Sequence, residues 1–485
     1  MQSAEREMIM DSLVIRGRTL ISVFIAAALL LLLAIVCEFN VLLTVCLLIW
    51  TVFFAASLIN IEDNVVLFCF LISFFVFLLG RQVVYSVFER NEVYSFLDVT
   101  NNAAYLALIV SLLFLAFGSW MARQTVFIHD LSPVGRSALA RPRRDNSFAM
   151  ACRLVFYICL LFSFVEVVYK IRFVRRVGYL ASYTTAAGGS GVPTFVTYFA
   201  AFTPVALSLY LASFPSKKAS MKELVLYEIY GLMTLLTGQR YPFIGISMFI
   251  LSYMVIRNRM EKGWVKKSYY VMLAMAIPVL MILLAAYDAI RLGEAFDFRG
   301  AGNAVVVFLD QQGGSINTIR RTIYHADDLK DMHLVSLGGT YSALFENIIA
   351  RVLFGVQTYS GNSMERALAG HDYSARLSLI VYGDGYLQGH GAGSSYIAEL
   401  LHDFGLVGVA IGSFFYGYVL RCLNRLKPGK ELLGGIGLAM MYCLYLAPRG
   451  GFDAFVGSVF RIYSFFFFFV IIVLSWIIRG TSWNR

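Results

Sequence analysis

Apolar residues in this chain do not alternate or recur in amphipathic stripes. They run in blocks of about twenty, the length a helix needs to cross a bilayer. Twelve such blocks are legible: 20–37, 41–59, 65–88, 101–122, 150–171, 195–214, 223–238, 241–257, 269–289, 397–420, 432–448 and 455–478. The first follows a charged leader and is long enough to be a span rather than a cleaved signal. The seventh and eighth are short and form a hairpin closed by "GQRYP". Most polar connections are brief. The exception is 290–392, far longer than any other, polar, and with Gly recurring from Gly293 to Gly391. The pattern predicts an all-α polytopic membrane protein of about 12 transmembrane helices with one large loop. It divides into an N-terminal bundle of about nine spans (1–289), the loop (290–392) and a C-terminal bundle of about three (393–485).

Composition agrees. Of 485 residues 59% are hydrophobic and 14% charged, with a mean hydropathy of +0.71; a soluble domain is about 25% charged. The net charge of +10 therefore orients the chain rather than attracting nucleic acid. With the N-terminus inside, the loops 123–144, 215–222, 257–267 and 421–430 are all basic and all inner, as the positive-inside rule asks. Both termini are then cytoplasmic and 290–392 lies outside. Only "NIEDN" (60–64) is an acidic inner turn. The seven cysteines fall in or beside apolar runs with no paired spacing, which argues against disulfides and zinc.

The outer side carries cations that orientation does not explain. Arg291, Arg299, Arg320, Arg321, Arg351, Arg366 and Arg376 lie in the long loop, and Arg240 and Arg449 stand singly at outer ends of spans. Arginine offers a planar fork of donors matched to phosphate. A pyrophosphate on a lipid carrier is one fitting ligand, with Arg240 and Arg449 the first candidates and Arg291 and Arg351 behind them. The alternative is snorkelling to headgroups or pairing with loop carboxylates, the preferred reading for Arg172, Arg175 and Arg320. A second polar group opens the tenth span: Ser394, Ser395, Tyr396, Glu399, His402 and Asp403, preceded by His390 in a Gly-rich stretch. In a helix starting near Ser394, positions 395, 399 and 402 share a face, as do 396, 399 and 403. Glu399 belongs to both sets. A carboxylate and an imidazole on one stripe can take a proton from a sugar hydroxyl; Ser395 and His402 then support Glu399, while Ser394, Tyr396 and His390 would face substrate. The competing role is structural: Glu399 and Asp403 pairing with arginines of neighbouring spans. No Walker, HExxH or DxD-type motif is present, so no metal or cofactor is expected.

The run "GAGSSYIAELLHDFGLVGV" (391–409) resembles the signature of bacterial O-antigen and capsule repeat-unit polymerases of the Wzy type, and "TGQRYPFIG" (237–245) is similar to their Arg-containing hairpin. The rest matches in layout. The resemblance implies a GT-C-like fold and a metal-independent glycosyltransferase in the bacterial cytoplasmic membrane. Its substrates would be undecaprenyl-pyrophosphate-linked oligosaccharides, the growing glycan moving onto a non-reducing-end hydroxyl of one lipid-linked repeat unit. A flippase and a chain-length regulator are implied partners. The related O-antigen ligases often carry His-Asn where Ser394 and Ser395 stand here. Two other readings remain: a ligase or other GT-C transferase, and a transporter or flippase of lipid-linked sugars. Transporters are commonly built from repeated halves with charges near the midplane. No internal repeat is visible here, and the charges cluster at the outer edge.

Overall fold

The computed structural model describes residues 22–88, 96–130, 147–184, 189–266, 268, 304–346, 352, 354–357, 359 and 361–483. Among these every element is helical, apart from one β-bridge between Thr184 and Asn362. Eight helices are long and apolar enough to cross a membrane. They are α2 (Val41–Ile59), α3 (Ile61–Val87), α4 (Asp98–Asp130), α5 (Ser147–Val177), α6 (Thr194–Ala212), α13 (Tyr396–Leu423), α14 (Glu431–Leu446, continuing as a 3-10 turn to Arg449) and α15 (Ile462–Trp483). Three other expected spans correspond to helices that are shorter or more polar: α1 (Ser22–Val36), α7 (Lys217–Leu235) and α8 (Tyr241–Met260). The expected span at 269–289 lies outside the described residues.

Local chemistry sets the helix starts. The Asn40 side chain accepts from the Leu42 amide (2.9 Å) and opens α2. Ser216 caps α7, and Pro242 fits the first turn of α8, where its missing N–H is not needed. Among the described residues the most extensive helix–helix contact is between α4 and α13. They approach at glycine: a Cβ on Gly118 would lie 2.0 Å from the Phe414 carbonyl, and one on Gly417 2.0 Å from that of Leu115. Lipid tails are as apolar as leucine, so close van der Waals approach of small residues is what drives such pairs. Buried hydroxyls add to it, with Ser413 donating to Ser111 (2.9 Å) and Ser111 meeting the Tyr396 hydroxyl (2.6 Å).

The described part of the long polar segment is helical. After α9 (Ala304–Gln312) come α10 (Ser315–Tyr324), α11 (Gly338–Phe345) and α12 (Tyr373–Tyr382), with single turns between. Ile316, Ile319, Leu329, Val335, Tyr373 and Leu377 belong to the same hydrophobic core as the spans. Arg320 is buried with them: it donates to Asn317 (3.0 Å), Gln82 (2.8 Å) and the Tyr105 hydroxyl (3.1 Å). The sequence reading has it reaching headgroups or loop carboxylates; instead it is buried, and these partners are neutral groups, two of them on α3 and α4. The run 465–469, which reads as lipid-facing, is divided. Phe465, Phe466 and Phe469 are exposed, whereas Phe467 is buried and stacked on Phe202 at 4.6 Å.

Candidate active site

The start of α13 is built from extended backbone at Ser395 followed by nine helical residues. The helix then breaks at Gly405, where φ is +62° and ψ −154°, a left-handed conformation that a side chain disfavours. The short first segment carries the polar group seen in the sequence. Glu399 is 5% exposed. One carboxylate oxygen accepts from the Ser394 hydroxyl at 2.6 Å and the other from the Phe452 amide at 2.7 Å. The expected alternative of an ion pair with an arginine does not describe it: among the described residues both partners are neutral. Gly451 lies beneath the carboxylate, where a Cβ would stand 3.0 Å from one oxygen and 3.2 Å from the other.

The other predicted residues of this helix face elsewhere. Ser395 is fully buried, and its hydroxyl has no partner among the described residues. Tyr396 turns into the bundle toward Ser111, with its ring against Tyr416 (4.9 Å). The ring of His402 meets the Met332 carbonyl at 3.0 Å and lines a different cavity from Glu399. Asp403 accepts from the Val335 amide (3.0 Å) and from the Ser336 amide (2.8 Å) and hydroxyl (2.6 Å), tying the long segment to α13. His390 is exposed, its ring 6.0 Å from that of Tyr382.

Two cavities meet at Ser394. The first, about 320 Å³, is acidic: Glu399, Asp453, Asp372 and Glu346 line it, against Arg366 and His371. Arg366 is already paired with Asp372 at 2.6 Å. Asp453 accepts from the Gly339 amide (2.8 Å), pinning the start of α11 to the wall. Burial pushes the pKa of Tyr373 up, so this lining phenol keeps its proton at neutral pH. The second cavity, about 410 Å³, is lined by Arg81, Arg321 and Arg449, with Asp310 the one carboxylate among the described residues. Arg81 meets Asp310 at 3.0 Å. Arg449 donates to Gln312 (3.0 Å) and lies over the Phe77 ring (5.6 Å). Phe77 sits in a π-helical turn, Phe75–Leu79, inside α3; such turns shift the helix face and recur at functional sites. Arg240 is 8% exposed and lies within electrostatic reach of Arg449, as do the hydroxyls of Tyr179, Tyr183 and Tyr241.

The structure thus brings together Arg240 with Arg449 and Ser394 with Glu399, pairs separated in sequence by very different intervals. Arg291 and Arg351 lie outside the described residues. Sequence reasoning missed Arg81, Asp453 and the Phe452 amide, and it did not single out Arg321. For Arg81 a signal existed, since it too is a lone cation near the end of an apolar run. For Asp453 there was none. Among the described residues no group of three or more His, Cys, Asp or Glu side chains is placed to hold a metal ion.

Helices of membrane-crossing length around a split polar cavity define a multi-pass membrane protein. A family model for O-antigen polysaccharide polymerase Wzy matches residues 18–480, and the chain belongs to that family. No curated protein and no solved structure matches it significantly.

Proposed function

We propose that this polymerase joins lipid-linked oligosaccharide repeat units at the outer face of the bacterial cytoplasmic membrane. The growing glycan leaves undecaprenyl pyrophosphate and moves to a hydroxyl at the non-reducing end of a second lipid-linked unit. One observation carries the assignment: Ser394 is a wall of both an acidic and a basic cavity, and its hydroxyl is bonded to Glu399. Such a pair suits a reaction between a neutral nucleophile and a substrate with an anionic leaving group.

In this reading the acceptor sugar occupies the acidic cavity. Glu399 takes the hydroxyl proton as the oxygen attacks the anomeric carbon. Ser394 and the Phe452 amide hold the carboxylate so that one face remains toward the cavity. The bond from anomeric carbon to pyrophosphate oxygen breaks, and the pyrophosphate keeps the electron pair. Arg449, Arg321 and Arg81, with Arg240 behind Arg449, stabilise that charge; guanidinium groups fixed in a partly dry site need little reorganisation as it develops. Asp372 and Arg366 shape the acceptor side.

The test is ladder formation in proteoliposomes holding the purified protein and a synthetic undecaprenyl-pyrophosphate repeat unit. Glu399→Gln is expected to bind the substrate, keep the parent melting temperature and lose most of the ladder. A full ladder from that variant would remove Glu399 from the chemistry.

A further inference from the structure

A further cavity, at about 640 Å³ larger than either of the two that meet at Ser394, has no part in the chemistry above. Its walls are mainly hydrocarbon: Ala103 and Leu106 from α4, Leu401 and Leu406 from α13, and Ile323 and Met332 from the long segment. Apolar side chains in and around it are also exposed, Leu334 at 50%, Phe404 at 54% and Leu106 at 41%. A groove of this composition is unfavourable in water and favourable in lipid, and α4 and α13 are both membrane-crossing candidates. Its rim differs. Lys330 and His333 line it and are exposed. Of the nearby acids, Asp328 is met by His325 (2.9 Å), Asp331 by Arg376 (2.8 Å) and Asp403 by Val335 and Ser336, while Asp327 is exposed in the turn before Lys330. Lys330 has no ion-pair partner among the described residues.

The groove also abuts the acidic cavity. Leu334 lines one and Val335 the other. Thr322 lines the groove and is hydrogen-bonded to Tyr373, which lines the acidic cavity. His402 and Asp403 lie one helical turn from Glu399 on α13. An apolar slot with a cationic rim, one wall away from a sugar-sized acidic cavity, matches a molecule with a hydrocarbon tail, a phosphate and a glycan in that order.

We propose that this groove binds the prenyl tail of the lipid-linked acceptor. Its phosphate sits at Lys330 and His333, and its glycan crosses the 332–336 segment into the acidic cavity. The proposal rests on the polymerase reading above for the direction of the glycan, but tail binding can be measured without any transfer. Proteoliposomes of the full chain are irradiated with a diazirine-bearing polyprenyl phosphate, and the labelled peptides are sequenced. The expected labels fall at 103–106 and 401–406. Excess undecaprenyl phosphate competes them away, and the same excess of phosphatidylglycerol does not. Lys330→Glu is expected to lower labelling about fivefold or more, the effect of losing one cation beside a phosphate, while Lys330→Arg retains it. Ala103→Trp, which fills the slot, is expected to abolish it. Glu399→Gln is expected to label like the parent, so a failed polymerase reading and a failed groove give different results. Equal competition by phosphatidylglycerol would make the groove an ordinary lipid contact and overturn the proposal, as would full labelling of a folded Ala103→Trp protein.

Discussion

Glu399 takes both of its hydrogen bonds from neutral donors, a hydroxyl and an amide. This matters because a carboxylate paired with arginine would be a poor base, its proton affinity lowered by the cation. Position is set as tightly as partners. Gly451→Ala would push a methyl group to about 3 Å of both carboxylate oxygens. It is expected to cut polymer formation by at least about tenfold with little change in melting temperature, since misplacing a reacting group is costly in rate while the fold is untouched. A kinetic assay beside a thermal-shift measurement on the same preparation decides this; equal activity would mean the carboxylate has room to move. On the other side of Ser394, Arg449→Lys keeps the charge but not the planar fork. Loss of one positioned donor typically lowers turnover about a hundredfold, and that loss is expected in kcat with KM less affected. An unchanged kcat would place the pyrophosphate elsewhere. Glu399, Arg240 and Arg449 could be named as candidates from the sequence because an ionisable group at the end of an apolar run is expensive unless paired or used. Asp453 could not. It reads as one more loop carboxylate until the fold sets it against Gly339, 114 residues earlier in the chain.

At the level of elements, the sequence shows α13 as one long span, and nothing in "HDFGLVG" announces that it is two helical segments joined at Gly405. Glycine is common in membrane helices, so its presence alone could not mark the break. The segment 396–404 is held from outside the helix by Asp403, which accepts three hydrogen bonds from Val335 and Ser336. Asp403→Ala leaves those buried donors unmet, at a cost of about 3 kcal/mol. It is expected to lower the melting temperature clearly while leaving the KM for lipid-linked substrate near the parent value in the cold. A normal melting curve would show that the turn at 335–337 holds itself. The close crossing of α4 and α13 was equally hidden. Gly118 and Gly417 are 299 positions apart, and sequence periodicity reports a face only within one helix.

For the whole molecule, the blocks of apolar residues made the helical, membrane-spanning class plain, and the basic loops gave an orientation. The interior of 290–392 stayed illegible because its helices are short and its polar residues, Arg320 among them, are satisfied only by distant partners such as Gln82. Labelling tests the orientation. Met364 is exposed in the long segment, and Lys218 is exposed in the first turn of α7, within the basic stretch 215–222. Met364→Cys is expected to react with an impermeant maleimide on intact cells, and Lys218→Cys only after permeabilisation, each measured against the parent with its own seven cysteines. The reverse pattern would invert the topology.

The acidic pair at the start of α3 reads in sequence as an exception to the charge bias. In the fold Glu62 is met by Lys262 (2.8 Å) and Asn258 (2.9 Å), Asp63 by Arg259 (3.0 Å), and the Asp63 carbonyl by Arg421 (3.0 Å). Exposed pairs of this kind add little stability singly. Their consequence lies in the order of synthesis. Lys262 is 200 residues downstream of Glu62, and Arg421 is 358 downstream of Asp63. While the early hairpin enters the membrane, none of its cationic partners has been made. The hairpin must therefore wait, its two carboxylates unpaired, until α8 arrives, and the ribosome is past residue 421 of 485 before α13 closes the cluster.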